Sequence, residues 1–88
     1  MDSERKILGE RLKSIRKTAG LSRAEIAREY GFSARSIELW ERGQTEIGAL
    51  KLYEYLNIFK VNYGVEVSIN ALVNLDSDLM INQKISIK

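Results

Sequence analysis

The chain has seven arginines, the side chains best suited to bind anions and hydrogen-bond acceptors, and all of them lie at or before Arg42. Residues 1–45 hold ten Lys or Arg against seven Asp or Glu, a surplus of three, whereas residues 46–88 hold four against five. A guanidinium presents a planar fork of donors that matches phosphate oxygens and the edge of guanine. The first half of the chain is therefore suited to contact nucleic acid, although an exposed arginine is often only solvated.

Residue types that support catalysis or metal binding are scarce. The chain has no His and no Cys, so the usual general base, the usual metal ligand and any thiolate site or disulfide are missing. We therefore expect no enzymatic activity, no metal and no cofactor. The chain has no apolar run of the roughly 18 residues that a membrane span needs, and its first residues, MDSERK, lack the apolar stretch of a signal peptide. We expect a single cytoplasmic domain without membrane association.

Residues 21–43, LSRAEIAREYGFSARSIELWERG, contain the signals of two short helices joined by a three-residue turn. Ser22 and Glu25 form an S-x-x-E capping box, in which each side chain satisfies a backbone N–H of the first turn. Gly31 ends the first helix because glycine adopts the left-handed conformation without strain. Ser33 opens the second helix.

The apolar residues of this segment give each helix one buried stripe, made of Ile26, Ala27, Tyr30, Phe32, Ile37 and Trp40. On the second helix the remaining residues form an exposed face, made of Ala34, Arg35, Ser36, Glu38, Leu39 and Arg42. An exposed helix face of this kind can enter the major groove of DNA.

Further helices are predicted on both sides of this segment. A first helix from about Ser3 to Thr18 ends at Gly20, and its apolar stripe is Leu8, Leu12, Ile15 and Ala19. After Gly43, a fourth helix is predicted to cover the open side of the motif with Ala49, Leu50, Tyr53 and Leu56. It ends at Asn57, or it continues to about Asn62 with Gly64 as its cap.

The C-terminal quarter has a different pattern. Ser68 is expected to cap a short fifth helix that carries Ile69, Leu72 and Val73. In the last residues, apolar Leu79, Ile81, Ile85 and Ile87 alternate with other residues at a period near two, which resembles a strand. A lone strand is unstable in water and would need a partner, such as the same segment of a second subunit. The alternative is a frayed tail.

The predicted fold is therefore all-α: a compact five-helix domain over residues 1–75, followed by a tail over 76–88. We expect that tail to be either a short C-terminal strand, which could serve as a dimerisation segment, or a disordered segment.

Three runs of residues resemble one known family. They are LGERLKSIRKTAGLS at 8–22, EIAREYGFS at 25–33 and SIELWERG at 36–43. Together they are similar to the Cro and phage-repressor type of helix-turn-helix, also called the xenobiotic-response-element type, and the resemblance covers about residues 7–58. It implies a compact repressor-like fold, an inward-facing Trp40 and a structural ion pair between Arg16 and Glu41. The segment FKVNYGVEV at 59–67 departs from the short turn usual in the family, and it is either a longer helix with a different dimer surface or a loop.

The resemblance implies a transcriptional regulator that binds double-stranded DNA sequence-specifically, with helix 33–42 in the major groove. Because one helix reaches few base pairs, we expect a homodimer on a (pseudo)palindromic operator with half-site centres about 34–36 Å apart. Two alternatives remain open. One is an antitoxin-type protein whose DNA-binding half regulates its own operon while its tail from about Asp76 binds a partner protein. The other is a helix-turn-helix used only for protein contact, which Leu39 and the mild net charge of +2 favour.

The candidate site residues fall into two groups. Base contacts are predicted for Ala34, Arg35, Ser36 and Leu39. Arg35 is the first choice, because its guanidinium can pair bidentately with guanine O6 and N7, whereas Leu39 offers only apolar contact where many family members carry a polar side chain. Phosphate contacts are predicted at helix ends and turns, where free N–H groups and cations favour an anion: Ser22, Arg23, Arg42, Gln44 and Thr45.

Overall fold

The computed structural model describes residues 2–68, Leu72 and residues 82–83. In these residues the chain forms four helices: α1 Asp2–Thr18, α2 Arg23–Tyr30, α3 Ala34–Glu41 and α4 Ala49–Tyr63. Two short strands follow, β1 Val65–Glu66 and β2 Asn82–Gln83. The predicted order of the first four helices is confirmed. The fold is not wholly α-helical, and a fifth helix is not confirmed. None of the described helices is long and apolar enough to cross a membrane.

Helix α1 packs its predicted stripe against the rest of the core. Leu12 and Ile15 are fully buried, and Gly20 ends the helix region with φ 77°. α1 approaches α3 closely at Gly9, where a Cβ atom would lie 2.4 Å from the carbonyl oxygen of Trp40 and 2.5 Å from that of Glu41. A residue without a side chain is therefore required where these two helices cross.

Tyr55 of α4 lies at the centre of an aromatic cluster. Its ring meets Phe32 at 5.4 Å, Trp40 at 5.8 Å and Phe59 at 5.0 Å between centroids, each in an edge-to-face arrangement. Burial raises the pKa of the Tyr55 hydroxyl, which has no hydrogen-bond partner in the described part of the chain. The cluster joins the turn before α3, the end of α3 and the middle of α4.

Helix α4 follows the longer of the two predicted alternatives. It continues to Tyr63, and Gly64 caps it with φ 67° and an N–H that donates to the Phe59 carbonyl. At its end, the Tyr63 hydroxyl lies 2.8 Å from the hydroxyl of Tyr30, and this hydrogen bond is the main reason that the pKa of Tyr63 is raised to about 12. The first part of the segment at 59–67 is thus helical, and it ties the end of α4 to the end of α2.

The predicted buried face of α4 is wrong at three of its four residues, and Ala49 is one of them because it is exposed. Leu50 is 73% exposed and Tyr53 is 60% exposed. The buried residues of the helix are Leu52, Tyr55, Leu56 and Phe59. Because the two large rings of Tyr55 and Phe59 fill the space above the motif, the helix turns Leu50 and Tyr53 outward.

Residues after α4 form a small sheet within one chain. Strands β1 and β2 pair antiparallel, with Val65 opposite Gln83 and Glu66 opposite Asn82. For these two tail residues the strand partner is β1 of the same chain, and pairing of the tail with a second subunit stays a prediction. Leu72 is buried, and its N–H donates to the Ser68 carbonyl. The other residues of the predicted fifth helix and alternating tail lie outside the described residues.

Candidate nucleic-acid interface

The start of α2 is fixed by a complete capping box. The Ser22 hydroxyl accepts from the Glu25 N–H at 3.0 Å, and the Glu25 carboxylate accepts from the Ser22 N–H at 2.8 Å. These hydrogen bonds to Ser22 lower the pKa of Glu25, the backbone one most. The box satisfies two backbone groups of the first turn and defines where the positive end of the helix dipole lies.

A three-residue turn then orients α3. Gly31 has φ 77° and ψ 10°, and its N–H donates to the Ala27 carbonyl at 3.1 Å. Ser33 caps the next helix by accepting from the Ser36 N–H at 3.2 Å. Both helix boundaries in the turn therefore lie where the sequence predicts them.

The predicted base-contact residues are all on α3. Arg35 is exposed, while Ala34, Ser36 and Leu39 are half-buried. The opposite side of the helix packs inward through Ile37 and Glu41, both buried. We call the solvent-open side the α3 face, and it consists of Ala34, Arg35, Ser36, Glu38, Leu39 and Arg42.

Glu38 sits between the two cations of the α3 face. Its Oε1 lies 3.2 Å from Arg35 Nη1, and its Oε2 lies 3.6 Å from Arg42 Nη2. The three side chains carry a net charge of +1, since two guanidinium groups share one carboxylate. Sequence reasoning put Glu38 on this face without giving it a role, although its i,i+3 and i,i+4 spacing from the two arginines is the expected signal for such pairs.

The predicted phosphate-contact residues lie at the start of α2 and at or just after the end of α3. Ser22, Arg42, Gln44 and Thr45 are exposed, and Arg23 is half-buried. The N–H of Gln44 donates to the Leu39 carbonyl at 3.0 Å, and that of Thr45 lies 3.4 Å from the same oxygen. The loop after α3 thus folds back over the last turn of the helix, which holds the polar side chains of residues 44 and 45 near its end.

Arg16, Arg23 and Glu41 form a three-residue ion cluster, which we call the Glu41 cluster. Arg16 Nε donates to Glu41 Oε2 at 2.6 Å and Arg16 Nη2 donates to Oε1 at 3.0 Å. These hydrogen bonds raise the pKa of Arg16. Arg23 Nε also donates to Oε1 at 3.0 Å, with Nη2 at 2.9 Å from the same oxygen. The pairing of Arg16 and Glu41 follows from the resemblance, but the contact of Arg23 was not foreseen.

Among the described residues there is no group of three or more metal-ligating side chains close enough together to hold a metal ion. The arrangement consists of arginines, hydroxyls, amides and a helix end, all of which bind by charge and hydrogen bonding.

Comparison with known proteins identifies one match. A family model described as a helix-turn-helix domain matches residues 9–75, which are 67 of the 88 residues. No curated protein and no solved structure matches the chain significantly. The matched range includes α1 from Gly9 onward, the whole of α2, α3 and α4, and every predicted site residue.

Proposed function

This chain belongs to the helix-turn-helix domain family, and on that premise we propose that it is a transcriptional regulator that binds double-stranded DNA sequence-specifically through the α3 face. The observation that carries the proposal is the solvent-open state of that face, on which the side chains of Arg35 and Arg42 are 69% and 59% exposed. An exposed helix with two guanidinium groups fits the major groove and can reach both base edges and phosphates.

Base reading centres on Arg35. One of its amino groups, Nη1, contacts Glu38, and the rest of the guanidinium is available to pair with guanine O6 and N7. Ala34 and Leu39 contribute apolar contact with thymine methyl groups, and Ser36 contributes a hydroxyl. Ser22, Arg23, Arg42, Gln44 and Thr45 contact phosphates and hold α3 in register.

The proposed active form is a homodimer on a (pseudo)palindromic operator. A single α3 face reaches only a few base pairs, which gives weak discrimination against the large excess of other sites. Two copies related by a twofold axis place two such faces in successive major grooves, about 34–36 Å apart. Binding within a promoter then regulates transcription.

The test begins with selection of an operator from random oligonucleotides by the purified protein. Affinity of the wild type and of Arg35→Ala is then measured on that operator and on random-sequence duplex. We expect Arg35→Ala to weaken operator binding by about 1–3 kcal/mol and random binding by less. Arg28→Ala is the matched control, since Arg28 is an exposed arginine of α2 that pairs with Glu29 at 3.6 Å. It should weaken binding slightly and equally on both duplexes. Equal losses for Arg35→Ala would assign Arg35 to the DNA backbone instead.

A second candidate is a helix-turn-helix that is used only for contact with a partner protein. The observation that favours it is the exposed side of α4, where Leu50, Tyr53 and Val61 are 60–73% exposed. A salt titration separates the two candidates. Affinity for duplex DNA falls with log salt at a slope of about 0.9 per neutralised phosphate. If the purified protein fails to bind duplex DNA even at low salt, that result would favour the protein-binding candidate.

A further inference from the structure

The Glu41 cluster has an unequal charge count. One carboxylate with a 1% exposed side chain serves two guanidinium groups, so the three side chains together carry a charge of +1. Ion groups out of water are stable only when their charge is matched by neighbours. The excess positive charge therefore has to lie where solvent or an external anion reaches it.

The position of that charge follows from the exposure of the two arginines. The Arg16 side chain is only 8% exposed, and its Nη1 donates to the Leu21 carbonyl at 2.8 Å, so its donors are directed into the protein. The Arg23 side chain is 35% exposed, and Arg23 is the first residue of α2, immediately after the cap residue Ser22. The excess charge therefore emerges at Arg23, beside the positive end of the α2 dipole.

Glu41 also fixes the orientation of Arg23. Nε and Nη2 of Arg23 both face Glu41 Oε1, at 3.0 and 2.9 Å. Because a guanidinium is planar, the edge between Nη1 and Nη2 is then directed away from Glu41. An arginine held in this way has lost much of its rotamer freedom on folding, so binding an anion costs less side-chain entropy than it does for a free arginine.

We propose that Glu41 is a positioning residue for DNA binding: it holds the Arg23 guanidinium with its Nη1–Nη2 edge toward a backbone phosphate at the start of α2. This inference rests on the proposed function and adds a role for a buried acidic residue that does not touch DNA. It also ties phosphate binding at α2 to the end of α3, since Glu41 is the last residue of α3.

The test is a double-mutant cycle with Arg23→Gln and Glu41→Gln, read as affinity for random-sequence duplex at several salt concentrations. Random duplex is the right probe because a phosphate contact does not depend on sequence. Arg23→Gln should lower the salt slope by about 0.9, the loss of one phosphate. Glu41→Gln should weaken binding about threefold or more when Arg23 is present, and much less in the Arg23→Gln background, since coupled neighbours are not additive.

Arg28→Gln is the control, because Arg28 is on the same helix and does not belong to the Glu41 cluster. Its effect should add to that of Glu41→Gln. Circular dichroism establishes that each variant is folded at the temperature of measurement. Tighter binding by Glu41→Gln would overturn the proposal, because it would mean that Glu41 only neutralises Arg23. Additive effects of the Arg23 and Glu41 changes would overturn it as well.

Arg23→Lys tests the same idea without removing the buried carboxylate, so Arg16 keeps its partner. A lysine keeps the charge but lacks the planar fork that contacts Glu41 and a phosphate through separate edges. We expect an unchanged salt slope with affinity reduced about threefold or more, the scale of a weakened contact between neighbours. Wild-type affinity in Arg23→Lys would show that charge alone suffices and would overturn the proposal. Failure of the wild type to bind any duplex would instead refute the proposed function.

Discussion

Substitution of Gly9 by alanine tests the crossing of α1 and α3, which sets the position of the α3 face. The added Cβ would lie 2.4 Å from the Trp40 carbonyl oxygen and 2.5 Å from that of Glu41. Both neighbours are backbone atoms, so no side chain can rotate away. To reach ordinary van der Waals contact at 3.4 Å, the end of α3 has to move by about 1 Å relative to α1.

The cost of that movement has three parts. Overpacking costs about 1–3 kcal/mol. Alanine offsets about 1 kcal/mol of this cost, because it favours the helix more than glycine does. The same shift lengthens the 2.6 Å contact between Arg16 and Glu41, a buried pair whose complete loss would cost about 3–5 kcal/mol. We therefore expect Gly9→Ala to lower the free energy of unfolding by about 2–4 kcal/mol, which for a domain of this size lowers the melting temperature by roughly 8 °C or more.

Urea unfolding followed by the fluorescence of Trp40, the only tryptophan, measures the effect. Gly48→Ala is the matched control. A Cβ there meets nothing within 4 Å, and φ is −69°. As an N-cap position without a side-chain hydrogen bond, it should cost less than about 1 kcal/mol. If Gly9→Ala is no less stable than Gly48→Ala, the close approach of α1 and α3 is wrong, and with it the account of how α3 is held.

Three further outcomes are expected. Tyr55→Phe should be neutral or stabilise the fold by up to about 1 kcal/mol in thermal unfolding, because it removes a buried hydroxyl that has no partner in the described structure; a loss above about 1 kcal/mol would contradict this. Glu38→Ala should tighten binding to random duplex but lower the operator-to-random affinity ratio by up to about fivefold, the scale of exposed ion pairs, because Arg35 loses its orienting partner. The capping box with Ser22 lowers the pKa of Glu25 in the folded state. The stability that the ionised Glu25 adds is therefore present above the ordinary carboxylate pKa and is lost as the pH falls through the lowered pKa of the folded state. The melting temperature of Glu25→Gln should therefore vary less with pH in the acid range than that of the wild type.

The boundaries of the helix-turn-helix were predictable because their signals are local. The capping box of Ser22 and Glu25 joins residues three apart, and Ser33 contacts the N–H of Ser36 in the same way. The left-handed conformation of Gly31 depends only on the absence of a Cβ atom. Such signals act within one turn of helix, so they can be read without knowledge of the tertiary contacts.

The orientation of α4 was not predictable in the same way. Its sequence, ALKLYEYLNIFKVNY, is apolar at most positions, so several choices of buried stripe fit a helical period equally well. The choice between Leu50 with Tyr53 and Tyr55 with Phe59 depends on which side chains fill the space beside Phe32 and Trp40. That space is formed by the turn and α3, and it is absent from the local pattern.

Long-range contacts account for the remaining differences. The contact of Arg23 with Glu41 joins residues 18 apart, and Val65 pairs with Gln83 in a strand ladder that periodicity within either segment does not reveal. The requirement for glycine at position 9 arises only from the approach of the α3 backbone. The types of residue at the site were therefore readable from the sequence, whereas its long-range contacts, apart from the Arg16–Glu41 pair that the resemblance implied, were not.

Both ends of helix α3 are held by the aromatic cluster, because Phe32 and Trp40 both pack against Tyr55, but only its end is also held by Glu41. Its start is held by the turn through Phe32, whose ring packs against Tyr55, and its end is held by Glu41 at the crossing with α1. Arg35 lies one residue after the start, so support from Phe32 governs the placement of the main base contact. Because Glu41 also holds Arg23, a disturbance at the end of α3 alters the phosphate contact first and reaches Arg35 only by tilting the helix. A change in the Glu41 cluster is therefore expected to alter affinity for the DNA backbone more than base specificity.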